Sequence, residues 1–135
     1  MEAQELLKHA NEFIFYPKGA DGNSINAIDH CIKVSQRSPG RWAVIHSFQC
    51  WNGKEWVYEN RPSERTKSFL KKTRFSMEKA VKIALEQVDH AKVNGRTYAE
   101  WQELFIKMEE HERIVQKQKE QQEKDVASKV EKTEK

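Results

Sequence analysis

A chain of 135 residues, 37% hydrophobic and 33% charged, carries enough apolar material for one compact domain with an appendage. Its 24 Lys and Arg against 21 Asp and Glu leave a net charge of +3, too small to imply a nucleic-acid or membrane partner unless the charge is unevenly placed. No stretch approaches the roughly 18 consecutive apolar residues of a membrane helix, and residues 1–30 hold acids but no apolar signal core. Composition therefore argues against spanning and secretion and for the cytoplasm, where Cys31 and Cys50 are expected as free thiols.

Residues 2–12 place Leu6, Leu7 and Ala10 at helical spacing and predict a short amphipathic helix. Phe13 to Tyr16 form a brief apolar clasp ending at Pro17, and the Gly and Asx residues of 18–24 read as a loop. Residues 27–36 alternate Ile28, His30, Ile32 and Val34, the period of a half-buried strand. Ser38-Pro39-Gly40-Arg41 is a tight turn, after which 41–51 read as one continuous second strand. Asn52-Gly53 predicts a two-residue hairpin turn into a third strand, 55–59. Past Pro62 the period lengthens. Ser63 is placed to cap a helix through Lys71, Ser76 another through Lys92, and Thr97-x-x-Glu100 opens a last helix with Tyr98, Trp101, Phe105 and Met108 along one seam.

The order of elements predicts an α+β domain over residues 1–115: an N-terminal helix, a three-stranded antiparallel meander, and two to three helices packed on the sheet. From 116 to 135 only Val126, Ala127 and Val130 are apolar, so this segment is expected as a charged, fraying helix or a disordered tail whose deletion leaves folding intact.

Two surfaces stand out as candidates for function. With Asn52-Gly53 as a two-residue turn, Trp51, Trp56 and Tyr58 share one sheet face, while Trp42, Val44, Phe48, Cys50 and Val57 share the other. Were the second set the core, the first would be an exposed aromatic platform for stacking a base or gripping a protein partner, unless a helix covers that face too. The Pro-Gly turn adds a condition: a two-residue loop there puts Ile28, Ile32 and Val34 on the aromatic side, and a bulge reverses it. Met108 and Val115, in the seam of the last helix, extend the candidate contact surface. The second candidate is residues 61–75, where Arg61, Arg65, Lys67, Lys71, Lys72 and Arg74 face only Glu64. Such a stripe is able to neutralise phosphates.

The histidines and cysteines show no metal-ligand spacing, and no Gly-rich phosphate loop or nucleophile elbow is present, so neither metal, cofactor nor catalysis is expected. Glu59 falls opposite His46 across the expected hairpin, a structural cross-strand pair rather than an acid and base.

The run from Trp42 to Leu85 holds Trp51-Asn-Gly-Lys54, Pro62-Ser-x-Arg-Thr66 and Thr73-Arg-Phe-Ser-Met-Glu-Lys-Ala80. It resembles the small uncharacterised early proteins of tailed bacteriophages over about a third of the chain. The resemblance implies a phage-encoded, non-enzymatic binder of a host or viral protein, acting in the host cytoplasm. The meander followed by Phe75-Ser-Met-Glu-Lys-Ala80 is similar to the arm-site DNA-binding domain of tyrosine recombinases, and the element order is similar to a double-stranded-RNA-binding domain. Those likenesses imply the alternative, a nucleic-acid-binding module using residues 61–75. The seam of the last helix spans about two and a half heptads, shorter than a stable coiled coil needs, so the expected state is a monomer or a weak homodimer.

Overall fold

The structure is a computed structural model describing residues 2–24 and 26–133. It is α+β, but its sheet has five strands, not three. The elements run α1 (Ala3–His9), β1 (Glu12–Phe15), α2 (Ala27–His30), β2 (Ile32–Ser38), β3 (Arg41–His46), β4 (Gln49–Trp51), β5 (Trp56–Tyr58), α3 (Lys67–Thr73), α4 (Met77–Gln87), β6 (Lys92–Val93), β7 (Arg96–Thr97) and α5 (Tyr98–Thr133). The sheet is antiparallel in chain order, β1 to β5, and β6 with β7 forms a separate hairpin.

The expected clasp at Phe13 to Tyr16 is an edge strand in its larger part: Phe13 lies opposite Val34 and Phe15 opposite Ile32. The expected strand at 27–36 is divided. Its first turn is α2, entered through Asn26 at φ 64°, so Ile28 is exposed and His30 buried rather than sharing a strand face. A bulge between Gln36 and Ser38 pairs Val34 with Val44, which turns Ile32 and Val34 toward the core.

The largest departure lies within residues 41–51. The chain reverses at Ser47-Phe48, with Ser47 at φ 58°, and splits the expected strand into β3 and β4. Because a two-residue turn exchanges odd for even positions, Trp51 joins Trp42 and Val44 on one face, and Phe48 leaves the core for the turn itself. Across the next hairpin Trp51 pairs with Trp56 over a four-residue loop. The Asn52 side chain accepts the N–H groups of Lys54 and Glu55, both at 2.9 Å, so Asn52 closes the loop through its side chain instead of a two-residue turn. The two-residue turn with positive φ at both positions is Asn94-Gly95, at 50° and 80°, joining β6 to β7 just past the end of the helix expected through Lys92.

Helix α4 covers the face carrying Ile32, Val34, Trp42 and Val44 with Ala80, Ile83, Ala84 and Val88; Phe13, Phe15, Trp51, Trp56 and Phe75 pack around them. Ser76 caps it, its Oγ accepting the Lys79 N–H, as expected, and the small Ala80 and Ala84 let the helix lie close to the sheet. Leu85, on the outer side of the same helix, is exposed. Thr66, not Ser63, caps α3; Ser63 sits in the short 3-10 turn Pro62–Glu64. Past β4's short length, Phe75 completes the β3 edge, exchanging backbone hydrogen bonds of 2.8 and 2.9 Å with Trp42.

The chain divides into two units, residues 1–99 and 100–135. The second unit is the helical run of α5 from Glu100 to Thr133, regular through the charged segment that begins at Gln116. Trp101 and Phe105 stack within it at 6.0 Å. Among the described residues no helix is long and apolar enough to cross a membrane. Truncation after Val115 is expected to remove helical circular dichroism while changing the unfolding free energy of the first unit by no more than about 0.5 kcal/mol, the range for exposed surface. Loss of the cooperative transition would show instead that the segment supports the sheet.

Candidate functional site

With α4 on one face, alternation leaves Lys33, Ser35 and Ile45 on the other, and this open face is the floor of a groove of about 1070 Å³. Its walls come from α2, the Ser47-Phe48 turn, Tyr58-Glu59 and the β6 strand. Three large apolar side chains stand at its rim: Ile28 is 73%, Phe48 80% and Tyr58 62% exposed. Phe48 is exposed because the reversal at Ser47 leaves its side chain no core to enter. Charge in the groove is balanced, Lys33, Arg37 and Lys92 against Glu12, Asp29 and Glu59.

At one end Glu59 gathers three arginines. Arg37 Nη2 lies 2.9 Å from Glu59 Oε1, Arg65 Nη2 3.4 Å and Arg74 Nη2 3.7 Å. Arg65 Nε donates to the Asn60 carbonyl at 2.7 Å, and Arg74 Nη1 donates to Thr73 Oγ1 at 3.1 Å. Burial first, then the neighbouring Arg65, pulls the pKa of Arg74 below the ordinary arginine range. The expected Glu59 and His46 pair does not form. His46 is buried against the Trp56 ring, its Nε2 3.2 Å from the Asp29 carbonyl.

Burial holds the pKa of His46 below its usual 6.5, with the Asp29 carbonyl opposing and His30 assisting. The unfolded chain therefore binds this proton more readily. The contribution to stability is full above about pH 6.5 and is lost as pH falls through that value toward the folded pKa. A lower urea midpoint at pH 5.5 than at pH 7.5 is expected, with the difference reduced in His46→Gln; an unchanged difference would place the titration elsewhere.

The structure corrects the exposed aromatic platform. Trp51 and Trp56 are half-buried, edge to face at 5.2 Å, and pack against the core that α4 covers. Of that trio only Tyr58 is well exposed, and Phe48, grouped by parity with Trp42 and Val44, stands beside the groove with it. Met108 is exposed and Val115 half-buried, both in the second unit. The basic stripe is divided: Arg61, Lys67, Lys71 and Lys72 are exposed, whereas Arg65 and Arg74 turn inward to Glu59. No sequence signal marks the groove, whose residues come from segments 12 to 93 and meet only through the sheet.

Cys31 and Cys50 are unpaired and buried, and burial raises both thiol pKa values, which keeps them protonated rather than nucleophilic. Among the described residues no three His, Cys, Asp or Glu side chains gather to hold a metal ion. No family model matches the chain, and neither a curated protein nor a solved structure gives a significant match.

Proposed function

We propose that the protein is a non-catalytic binding module that holds a segment of a host or viral protein in the groove on its open sheet face. The observation that carries this reading is the trio Ile28, Phe48 and Tyr58, large apolar groups exposed together around a concave floor. Exposed apolar side chains scattered singly are ordinary; grouped at the rim of a groove they offer the anchors that protein recognition uses. The resemblance to phage early proteins supports a partner met in the host cytoplasm.

Selection of peptides from a random displayed library against the full chain tests it. Enriched peptides carrying an apolar anchor are expected, and Phe48→Ser with Tyr58→Ser should weaken them by about thirtyfold or more, since a hot-spot side chain contributes about 2 kcal/mol. Absence of enrichment, or enriched peptides indifferent to both changes, would refute the groove. The second reading, nucleic-acid binding, is favoured by the exposed Arg61, Lys67, Lys71 and Lys72. It requires an affinity for DNA or RNA that falls linearly with salt on logarithmic axes and has a shallower slope once these four are glutamine.

A further inference from the structure

We propose that Arg37, which lines the end of the groove and is drawn with the more buried Arg65 and Arg74 to Glu59, takes a carboxylate or phosphate group there, in the bound segment an acidic side chain. The proposal rests on the groove being the binding surface. Three guanidinium groups converge on one carboxylate, so two positive charges are left over where the side chains are only 33%, 18% and 3% exposed for Arg37, Arg65 and Arg74. Water screens charge poorly in such a place, and a second anion is the group that relieves it.

The hydrogen bonding points the same way. Glu59 Oε1 serves all three arginines, and at 3.7 Å it is too distant to accept a hydrogen bond from Arg74 Nη2. Among the described residues that Nη2 is the buried side-chain polar atom without a hydrogen-bond partner. A buried donor left in this state is costly and calls for an explanation. Arg37 shares a single nitrogen between both Glu59 oxygens, at 2.9 Å each, and itself lines the groove. Its remaining donors are those placed to meet an incoming oxyanion. Binding there draws Arg37 away from Glu59 and frees Glu59 to close on Arg74, so one added anion satisfies both the exposed and the buried guanidinium. A carboxylate and a phosphate each present paired oxygens to the planar arginine fork, which is why oxyanion chemistry and not halide is specified.

The test follows the arginine Nε–H resonances of the full chain during titration with inorganic phosphate, against sodium chloride at equal ionic strength. Saturable shifts at Arg37 and Arg74 are expected, abolished in Arg37→Gln, weakened in Arg37→Lys and retained when Lys71 and Lys72 are glutamine. Shifts that follow ionic strength alone, or that persist in Arg37→Gln, would overturn the site. Phosphate should also stabilise Glu59→Gln more than the parent chain, because the competing carboxylate is gone; equal stabilisation counts against it. Groove-selected peptides separate the sources. If they carry an acidic residue and lose about tenfold in affinity in Arg37→Gln, the size of a charge-assisted hydrogen bond, the site serves the partner segment. If peptides bind through Phe48 and Tyr58 without an acid and phosphate does not saturate, the site is refuted while the groove stands. Saturable phosphate with no peptide selected refutes the groove and leaves the site as one for free phosphate.

Discussion

Replacing Trp42 with alanine is expected to remove about 4 kcal/mol of stability, within the usual cost of about 3–5 kcal/mol for a large aromatic lost from a core. Trp42 is 4% exposed and stacks on Phe13 with ring centroids 5.6 Å apart and planes 23° from parallel. It also lies where the sheet changes partner, bonded through its backbone to Phe75 just before α4 begins. The indole thus packs β1, β3 and the entry to α4 into one cluster. Alanine keeps the backbone bonds and leaves a cavity that α4 cannot fill without moving. Because small domains are stable by about 5–15 kcal/mol, the variant should lie near the edge of folding at 37 °C. Urea unfolding measures the loss, and a change below about 1 kcal/mol would mean that Trp42 is not at the centre of the core. A double-mutant cycle with Phe13→Ala should return a coupling of about 1 kcal/mol, the share of a stacked aromatic pair.

Glu59→Gln is expected to cost about 3 kcal/mol, the lower end for removing one partner of a buried ion pair. The side chain is 13% exposed, so solvent offers limited relief to the three arginines it neutralises. Glutamine preserves the shape and one acceptor oxygen but turns a centre of net +2 into one of +3. The cost should therefore grow at low ionic strength and shrink with added salt, whereas a loss of packing would be indifferent to salt. Adding Arg74→Met to Glu59→Gln should recover part of the loss, because it removes the most deeply buried of the unpaired cations. If the single variant unfolds at the parental urea midpoint, the cluster is ornamental and Arg74 is held by Thr73 alone.

The placement of the aromatic residues in the core depends on one reversal of the chain. Between Arg41 and Trp51 the sequence reads as an unbroken strand, because His46-Ser47-Phe48-Gln49 offers a lone serine and no Gly, Pro, Asn or Asp to mark a turn. Ser47 adopts a left-handed conformation that a serine enters only at a cost, and the surrounding sheet supplies the reason. Once the turn is made, Trp51 and Trp56 must face Val44 and α4. Their common face was already legible, since moving the hairpin register by two residues preserves parity; which side of the sheet that face occupies was not.

Read alone, the sequence determined the features whose causes lie within a few residues: the α+β class from the change in hydrophobic period, the Ser76 cap of α4, the Pro39-Gly40 turn and the start of α5 after Thr97. Tertiary structure decided whatever depends on partners far along the chain. Arg74 lies within a basic run that reads as a solvated stripe, yet it is buried because Glu59, fifteen residues earlier, is delivered to it by the β5 edge. Arg37 reaches the same carboxylate from across the sheet, 22 residues away. Charge and periodicity are sums over neighbours, and no such sum records which distant residue a guanidinium will meet. That choice follows from the register of the strands, and here the register turned on a reversal at Ser47 and a bulge near Gln36 that leave no local mark.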